Sequence, residues 1–289
     1  MRSHVIPGGM LQIVPTTMLR RLGRMRDAGR LAMMSADAAN YEGVRPVASV
    51  PIDRILGEAA YGAEWAAAEE RIADALKGQD GITRHSANPG DRRTLFHFVR
   101  ALKPRSVLEV GTFVGRSAAT IAAALRLNAV EAPERAGRLV TVDIQDVNDP
   151  ADAHWRRIGL AQSPAAFIAA AGLADLVRFV TGDAARYMTD SGEAYDLVYL
   201  DGSTAAPDVC RTLRALPRAL DRQGVALLHV FHPEGRPLWP GEPAIPGPWA
   251  AVRHLRRRGV RVAARPLGPL PWPTKGGSRA TSLALIGSG

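Results

Sequence analysis

The chain has 289 residues, 46% hydrophobic and 22% charged, the balance of a globular protein rather than a disordered or fibrous one. No run of about 18 uncharged apolar residues occurs, so no membrane-spanning helix is expected, and the single cysteine, Cys210, excludes an intramolecular disulfide or a cysteine-built zinc cluster and fits a reducing, cytoplasmic setting. The net charge of +9 is almost all arginine, with Lys77, Lys103 and Lys275 the only lysines; this reads as compositional bias rather than a selected basic face, and nucleic acid is the less favoured partner.

Residues 1–40 stand apart, with Arg2, Arg20, Arg21, Arg24, Arg26 and Arg30 against only Asp27 and Asp37. Thr16–Met34 has the spacing of a basic amphipathic helix, with Leu19, Leu22, Met25 and Leu31 as its apolar positions. Met10–Val14 is too short for the apolar core of a secretory signal; an organelle transit peptide stays open. The preferred reading is an extension that packs on the domain or on a second subunit, which leaves a homodimer open.

Residues 52–77 read as one helix closed by Gly78, and 79–90 as a polar, turn-rich stretch. Asp91–Leu102 is a helix stopped by Pro104. A strand–helix alternation follows: strand Ser106–Val110, helix Ser117–Leu127, strand Arg138–Ile144, helix Ser163–Ala171, strands Val177–Thr181 and Tyr195–Leu200. Helix Asp208–Leu220, strand Gly224–Val230, helix Trp249–Arg258 and strands Val260–Ala264 and Ser282–Ile286 complete it. Runs such as Leu-Val-Tyr-Leu are apolar on both faces, as in a parallel sheet covered on both sides. The expected architecture is α/β, a Rossmann-like doubly wound sheet over 86–289, preceded by a helical N-terminal extension over 1–85.

In such sheets ligands bind beyond the carboxyl ends of the strands. The first strand runs into Glu109-Val110-Gly111-Thr112-Phe113-Val114-Gly115-Arg116-Ser117, two glycines bracketing a turn into a helix whose free N–H groups suit an anionic group. Phe113 stands where the dinucleotide fingerprint needs its second glycine, which argues against a pyrophosphate on this turn. Glu109 can accept from an ammonium or a hydroxyl. Asp143, followed by Ile144, ends the second strand, where an acid grips ribose hydroxyls. Gly182-Asp183-Ala184 follows the third strand and Asp201-Gly202-Ser203-Thr204 the fourth. Each acid alone could be a helix N-cap, but four successive strand ends carrying acids point to one cleft.

The stretches VLEVGTFVGRSA, GRLVTVDIQD, AGLADLVRFVTGDA and YDLVYLDGS resemble class I S-adenosylmethionine-dependent methyltransferases. Within them the closest likeness is to small-molecule O-methyltransferases of the catechol, caffeoyl-coenzyme A and macrocin types, over about residues 86–232. The resemblance implies a seven-stranded sheet with an antiparallel last strand, and S-adenosyl-L-methionine as cofactor. It implies that Glu109, Gly111, Thr112 and Gly115 line the methionine end, with Phe113 and Ser117 on the same turn, that Asp143 and Ile144 meet the ribose, and that Gly182, Asp183 and Ala184 meet the adenine. It also implies methyl transfer to a hydroxyl of a small acceptor.

Metal-dependent relatives carry Asp at the end of strand four and Asp-Asn at the end of strand five. Here Asp201 is present, but His229-Val230 replaces the pair, and Thr204 stands where macrocin-type relatives have histidine. No metal is therefore expected, and the catalytic candidates are Asp201, His232 as base at the head of the loop, and His229, for which a core role is the slightly preferred reading. His85 is expected near the cofactor, and the loop Pro233–Pro248, with Trp239 and Trp249, is read as a substrate-facing cover. An RNA or protein methyltransferase, or a non-catalytic protein with a degenerate methyltransferase fold, are the alternatives.

Overall fold

The computed structural model describes residues 16–35, 39–76, 87–151 and 154–289. His85, Lys77 and the Met10–Val14 run lie outside the described residues. Helix α1 (Thr16–Ala32) precedes α2 (Ile52–Gly57), α3 (Ala60–Ala75) and α4 (Pro89–Leu102). The alternating part then runs β1 (Ser106–Val110), α5 (Arg116–Glu131), β2 (Arg138–Asp143), α6 (His154–Arg157), α7 (Pro164–Ala170), β3 (Val177–Thr181), α8 (Ala184–Asp190) and β4 (Tyr195–Leu200). It ends with α9 (Ala206–Ala219), β5 (Leu220–Leu228), α10 (Gly247–Arg257), β6 (Val262–Pro266) and β7 (Ala284–Ser288).

The strands form a seven-stranded sheet in the order β3-β2-β1-β4-β5-β7-β6. β1 to β5 are parallel to one another, and β7 is antiparallel to both β5 and β6. The strand order reverses between β1 and β4, so the two chains leaving these strands diverge and open a crevice at their carboxyl ends.

Two hydrophobic cores cover the two faces. Val107, Leu139, Leu197 and Leu227 join α4, α5 and the residues of α2 and α3 in one core; Leu108, Val142, Val198 and Leu228 join α9, α10 and Leu31 of α1 in the other. Alternate residues of a strand point to opposite faces. The odd-numbered positions of β1, β2, β4 and β5 therefore all face α4 and α5, and this parity carries through Glu109, Thr141, Asp143, Tyr199, Asp201 and His229. Register places Glu109 beside both Thr141 and Tyr199.

Several elements differ from the sequence reading. The single helix over 52–77 is two, broken at Glu58, whose extended backbone (ψ 106°) follows Gly57. Helix α8 was not expected; Asp183 is its N-cap, accepting from Arg186 N at 2.9 Å. Helix α5 runs on to Glu131, because Asn128 is buried and donates to Val99 O of α4. Strand β7 lies two residues later than expected, in register with Val262–Pro266 of β6.

Candidate active site

The turn after β1 is shaped by close approach. Gly111 has φ 94°, and a Cβ there would lie 2.4 Å from the Asp201 carbonyl oxygen. Only glycine allows this backbone to meet the end of β4. Thr112 N and Phe113 N each donate to Asp143 Oδ2 at 3.0 Å, so the acid at the end of β2 pins the turn from the side. Phe113 is held at φ 49°. Gly115 then caps α5, whose first turn points free N–H groups at the crevice.

The crevice is a cavity of about 540 Å³. Gly111, Thr112, Phe113 and Ser117 line it from the β1 side, and Asp143 and Ile144 from β2. Gly182, Asp183 and Ala184 line it from β3, and Asp201 from β4. Ile144 is 69% exposed, an unusual state for a large aliphatic side chain that faces a cavity. Asp183 also binds Arg211 Nη1 at 3.0 Å. Gly115 and Glu109 do not border the cavity directly.

Glu109 is fully buried beneath the turn. Its Oε2 accepts from Thr141 Oγ1 at 2.6 Å, and Thr141 Oγ1 lies 2.6 Å from Thr112 Oγ1. Its Oε1 is buried with no partner among the described residues. Burial pushes the Glu109 carboxyl up to about 8; the hydroxyls of Ser117 and Thr141 pull it down, and the charges of Asp201 and Asp143 push it further up.

A second network crosses from the sheet to α4. His229 Nδ1 lies 2.7 Å from Asp201 Oδ1, and His229 Nε2 lies 3.2 Å from Asp91 Oδ2. Asp201 Oδ2 accepts from Tyr199 OH at 3.0 Å. Asp91 is held by the Asn88 side chain at 2.8 Å, by Ser282 Oγ at 3.1 Å and by Thr281 Oγ1. Burial pulls the His229 imidazole down, but the charge and hydrogen bond of Asp201, then those of Asp91, outweigh it and push the ring up to about 10. Asp91 is driven up by burial and, more strongly, down by its bonds to His229, Thr281 and Ser282, so it sits below the usual carboxylate range. His229 is an imidazolium clamped between two carboxylates, with both ring nitrogens used.

His232 lies elsewhere. It is buried, its Nδ1 accepts from Ile245 N at 3.4 Å, and burial lowers its pKa. It does not border the cavity. Trp239 is buried against the C-terminal loop, donating to Thr274 Oγ1 at 3.4 Å, and Trp249 lines a separate groove on α10.

The methyltransferase domain family matches residues 108–230, which run from β1 to the end of β5. The matched segment supplies most of the residues that line the cavity. A comparison with curated proteins found no match. Among solved structures, the chain is similar to the O-methyltransferase TomG of Streptomyces achromogenes, involved in tomaymycin synthesis and solved with SAM, at 21% identity over 76% of this chain and 89% of that one, TM-score 0.49. It is also similar to an O-methyltransferase of Bacillus cereus solved with SAH, at 18% identity over 78% of this chain and 91% of that one, TM-score 0.47.

Within the matched segment the parity rule brings Glu109, Asp143 and Asp201 to one face, and the β1–α5 turn joins them. Asp91 lies outside the matched segment. Sequence reasoning placed it only as the first residue of a helix. The available signal was an Asn-Pro-Gly-Asp helix start carrying more polar groups than one cap needs, but its partner His229 is distant in the chain.

Proposed function

We propose that this chain transfers the methyl group of S-adenosylmethionine to a hydroxyl of a small molecule without help from a metal. The observation that carries the reading is the convergence of Asp143 and Asp201 on one crevice at the strand-order switch, with the partnerless Oε1 of Glu109 buried beneath the turn that floors it. The cavity falls within the range of about 300–1,000 Å³ usual for small-ligand sites. Its donor set fits the cofactor end to end: Asp143 for ribose hydroxyls, exposed Ile144 as an apolar seat for the base, the α5 N-terminus for a carboxylate, and Glu109 beneath the turn for the ammonium.

When bound, S-adenosylmethionine supplies a methyl group already activated on sulfonium. The protein's task is then to position the acceptor and receive its proton. His229 is not free to accept a proton, because its ring is already protonated and bonded at both nitrogens. We assign that task to Asp201, which borders the cavity and is fixed by His229 on one oxygen and Tyr199 on the other. Carboxylates accept up to two hydrogen bonds per oxygen, so Asp201 retains lone pairs for an acceptor hydroxyl. The same clamp leaves His229 no lone pair for a cation, which supports a metal-independent mechanism. Residues 86–289 serve as the catalytic domain and 1–85 as an extension docked on it, in keeping with the packing of Trp65 and Ile72 into the α4–α5 core. Among the described residues no helix is long and apolar enough to cross a membrane, and the buried, unpaired Cys210 suits a cytoplasmic location.

Calorimetric titration of the full chain with S-adenosylmethionine tests the reading. Saturable binding at one site is expected; absence of specific heat would leave a decayed fold with no cofactor.

A further inference from the structure

A second cavity, of about 650 Å³, lies between α10 and β6, outside the cofactor crevice. Phe231 and Trp249 give it aromatic walls, and Ala264 and Pro266 of β6 form its other side. Arg253, Arg256 and Arg257 of α10 face it at positions i, i+3 and i+4. None of the three has a carboxylate partner among the described residues. Glu234, the acid that lines the groove, is engaged by Arg236 at 3.2 Å. Two other cations of the helix have structural work: His254 and Arg258 bind the carbonyl oxygens of Met34 and Ala32 and so dock α1, along a smaller groove that Arg253 and Arg257 also border.

Arg253 repels both Arg256 and Arg257 at this spacing. Arg256 and Arg257 lie in the last turn, where the helix dipole offsets part of that cost. Arg253 lies a turn earlier and instead sits over the Trp249 ring at 4.9 Å. The arrangement is three forked donors above an apolar, aromatic-walled cavity.

We propose that this groove binds the phosphoryl end of a phosphorylated small molecule. The charge count selects the ligand: three uncompensated guanidinium groups match a group of charge near −2 better than a single carboxylate, and their planar forks suit phosphate oxygens. The size selects against an extended polyanion. The groove is one confined cavity with its cations along three helix positions, whereas nucleic acid needs a basic stripe that follows a backbone. Aromatic Phe231 and Trp249 accommodate the apolar body next to the phosphoryl group. Phe231 lies two residues beyond His229, so the groove opens on the same end of β5 as the candidate active site. The assignment itself does not depend on methyl transfer.

The test is calorimetric titration of the full chain with inorganic pyrophosphate, with and without saturating S-adenosylhomocysteine. Saturable binding that persists beside S-adenosylhomocysteine is expected, and it should weaken at least tenfold in the triple variant Arg253→Gln, Arg256→Gln, Arg257→Gln. The affinity of the variant for S-adenosylhomocysteine should equal that of the native chain, which separates loss of the groove from loss of the fold. Absence of saturable pyrophosphate binding, equal binding by the triple variant, or displacement of pyrophosphate by a short single-stranded RNA at far lower concentration would each overturn the proposal. Failure of S-adenosylhomocysteine to bind at all, with pyrophosphate binding intact, would strike the methyltransferase reading and leave the groove standing.

Discussion

Asp91 and His229, 138 residues apart, meet at 3.2 Å in the interior, where the carboxylate of α4 accepts a hydrogen bond from Nε2 of a histidine at the end of β5. The contact exists because α4 packs on the face of the sheet to which odd-numbered strand residues point. It fixes the imidazole so that its other nitrogen grips Asp201 at 2.7 Å. A carboxylate facing the cavity is thereby held by a chain of bonds anchored in the core.

Removal of the central cation leaves the buried Asp91 and the half-buried Asp201 facing each other's charge. His229→Leu is expected to lower stability at pH 7 by about 3–5 kcal/mol, the scale for losing one partner of a buried ion pair. The folded-state pKa of His229 is raised to about 10 from an ordinary 6.5, so its contribution is complete below pH 6.5 and disappears as pH rises through 10. Guanidinium unfolding of native and variant chains from pH 6 to 10 checks this; a gap that does not narrow toward pH 10 would mean the ring is neutral.

Glu109 has linkage of the same sign over a lower pH interval. Its folded-state pKa is raised by burial to about 8 from an ordinary 4.5, so between these values the folded chain holds a proton that the unfolded chain has lost. Stability falls as pH rises through that interval. Glu109→Gln should remove this slope, so the variant gains on the native chain from pH 5 to 8 and the gain levels off above. Parallel stability curves would show that the carboxyl ionises normally.

Asp143 both pins the turn and offers its free lone pairs to the crevice. Asp143→Ala should weaken S-adenosylmethionine binding by about 1.5–3 kcal/mol for each charged hydrogen bond lost, read by calorimetry. Unchanged affinity would place the ribose elsewhere.

Trp65 of α3 packs edge-on against Phe96 of α4, with ring centroids 5.7 Å apart, and is 7% exposed. Trp65→Ala should cost about 3–5 kcal/mol, as for other large-to-small core changes. A loss below about 1 kcal/mol would mean that α3 is not integral to the core.

Methyl transfer should persist in a strong chelator. Its abolition, followed by rescue with Mg²⁺, would show ligands beyond Asp201 that come together only with the cation. The measurement is transfer of labelled methyl to a hydroxylated acceptor panel with and without chelator.

The strand pattern was legible in the sequence because both-face apolar runs are a local property: β1, β3 and β4 fall on the residues the periodicity indicates. Asp143 and Asp201 could be found for the same reason, since a strand end is marked by the next glycine or polar turn. Helix α8 was missed because Asp183 was read as a ligand-facing acid, although an Asp two residues after a strand is also an N-cap. The roles of the two histidines could not be ranked from sequence. His232 heads a loop and looks accessible, but it is buried with Ile245 N on its Nδ1, while His229, in an apolar strand, proves to be paired at both nitrogens.

The sequence by itself determined the seven strands in their order and the acids at their ends, because apolar runs and the turns that close them depend on neighbours a few residues apart. The tertiary structure decided which of those acids share a bond, that Asp91 reaches His229, and that Glu109 lies sealed under the turn with an oxygen unmatched. Those outcomes depend on the packing of α4 against the sheet and on the close approach of Gly111 to Asp201, distances between segments that no local pattern encodes.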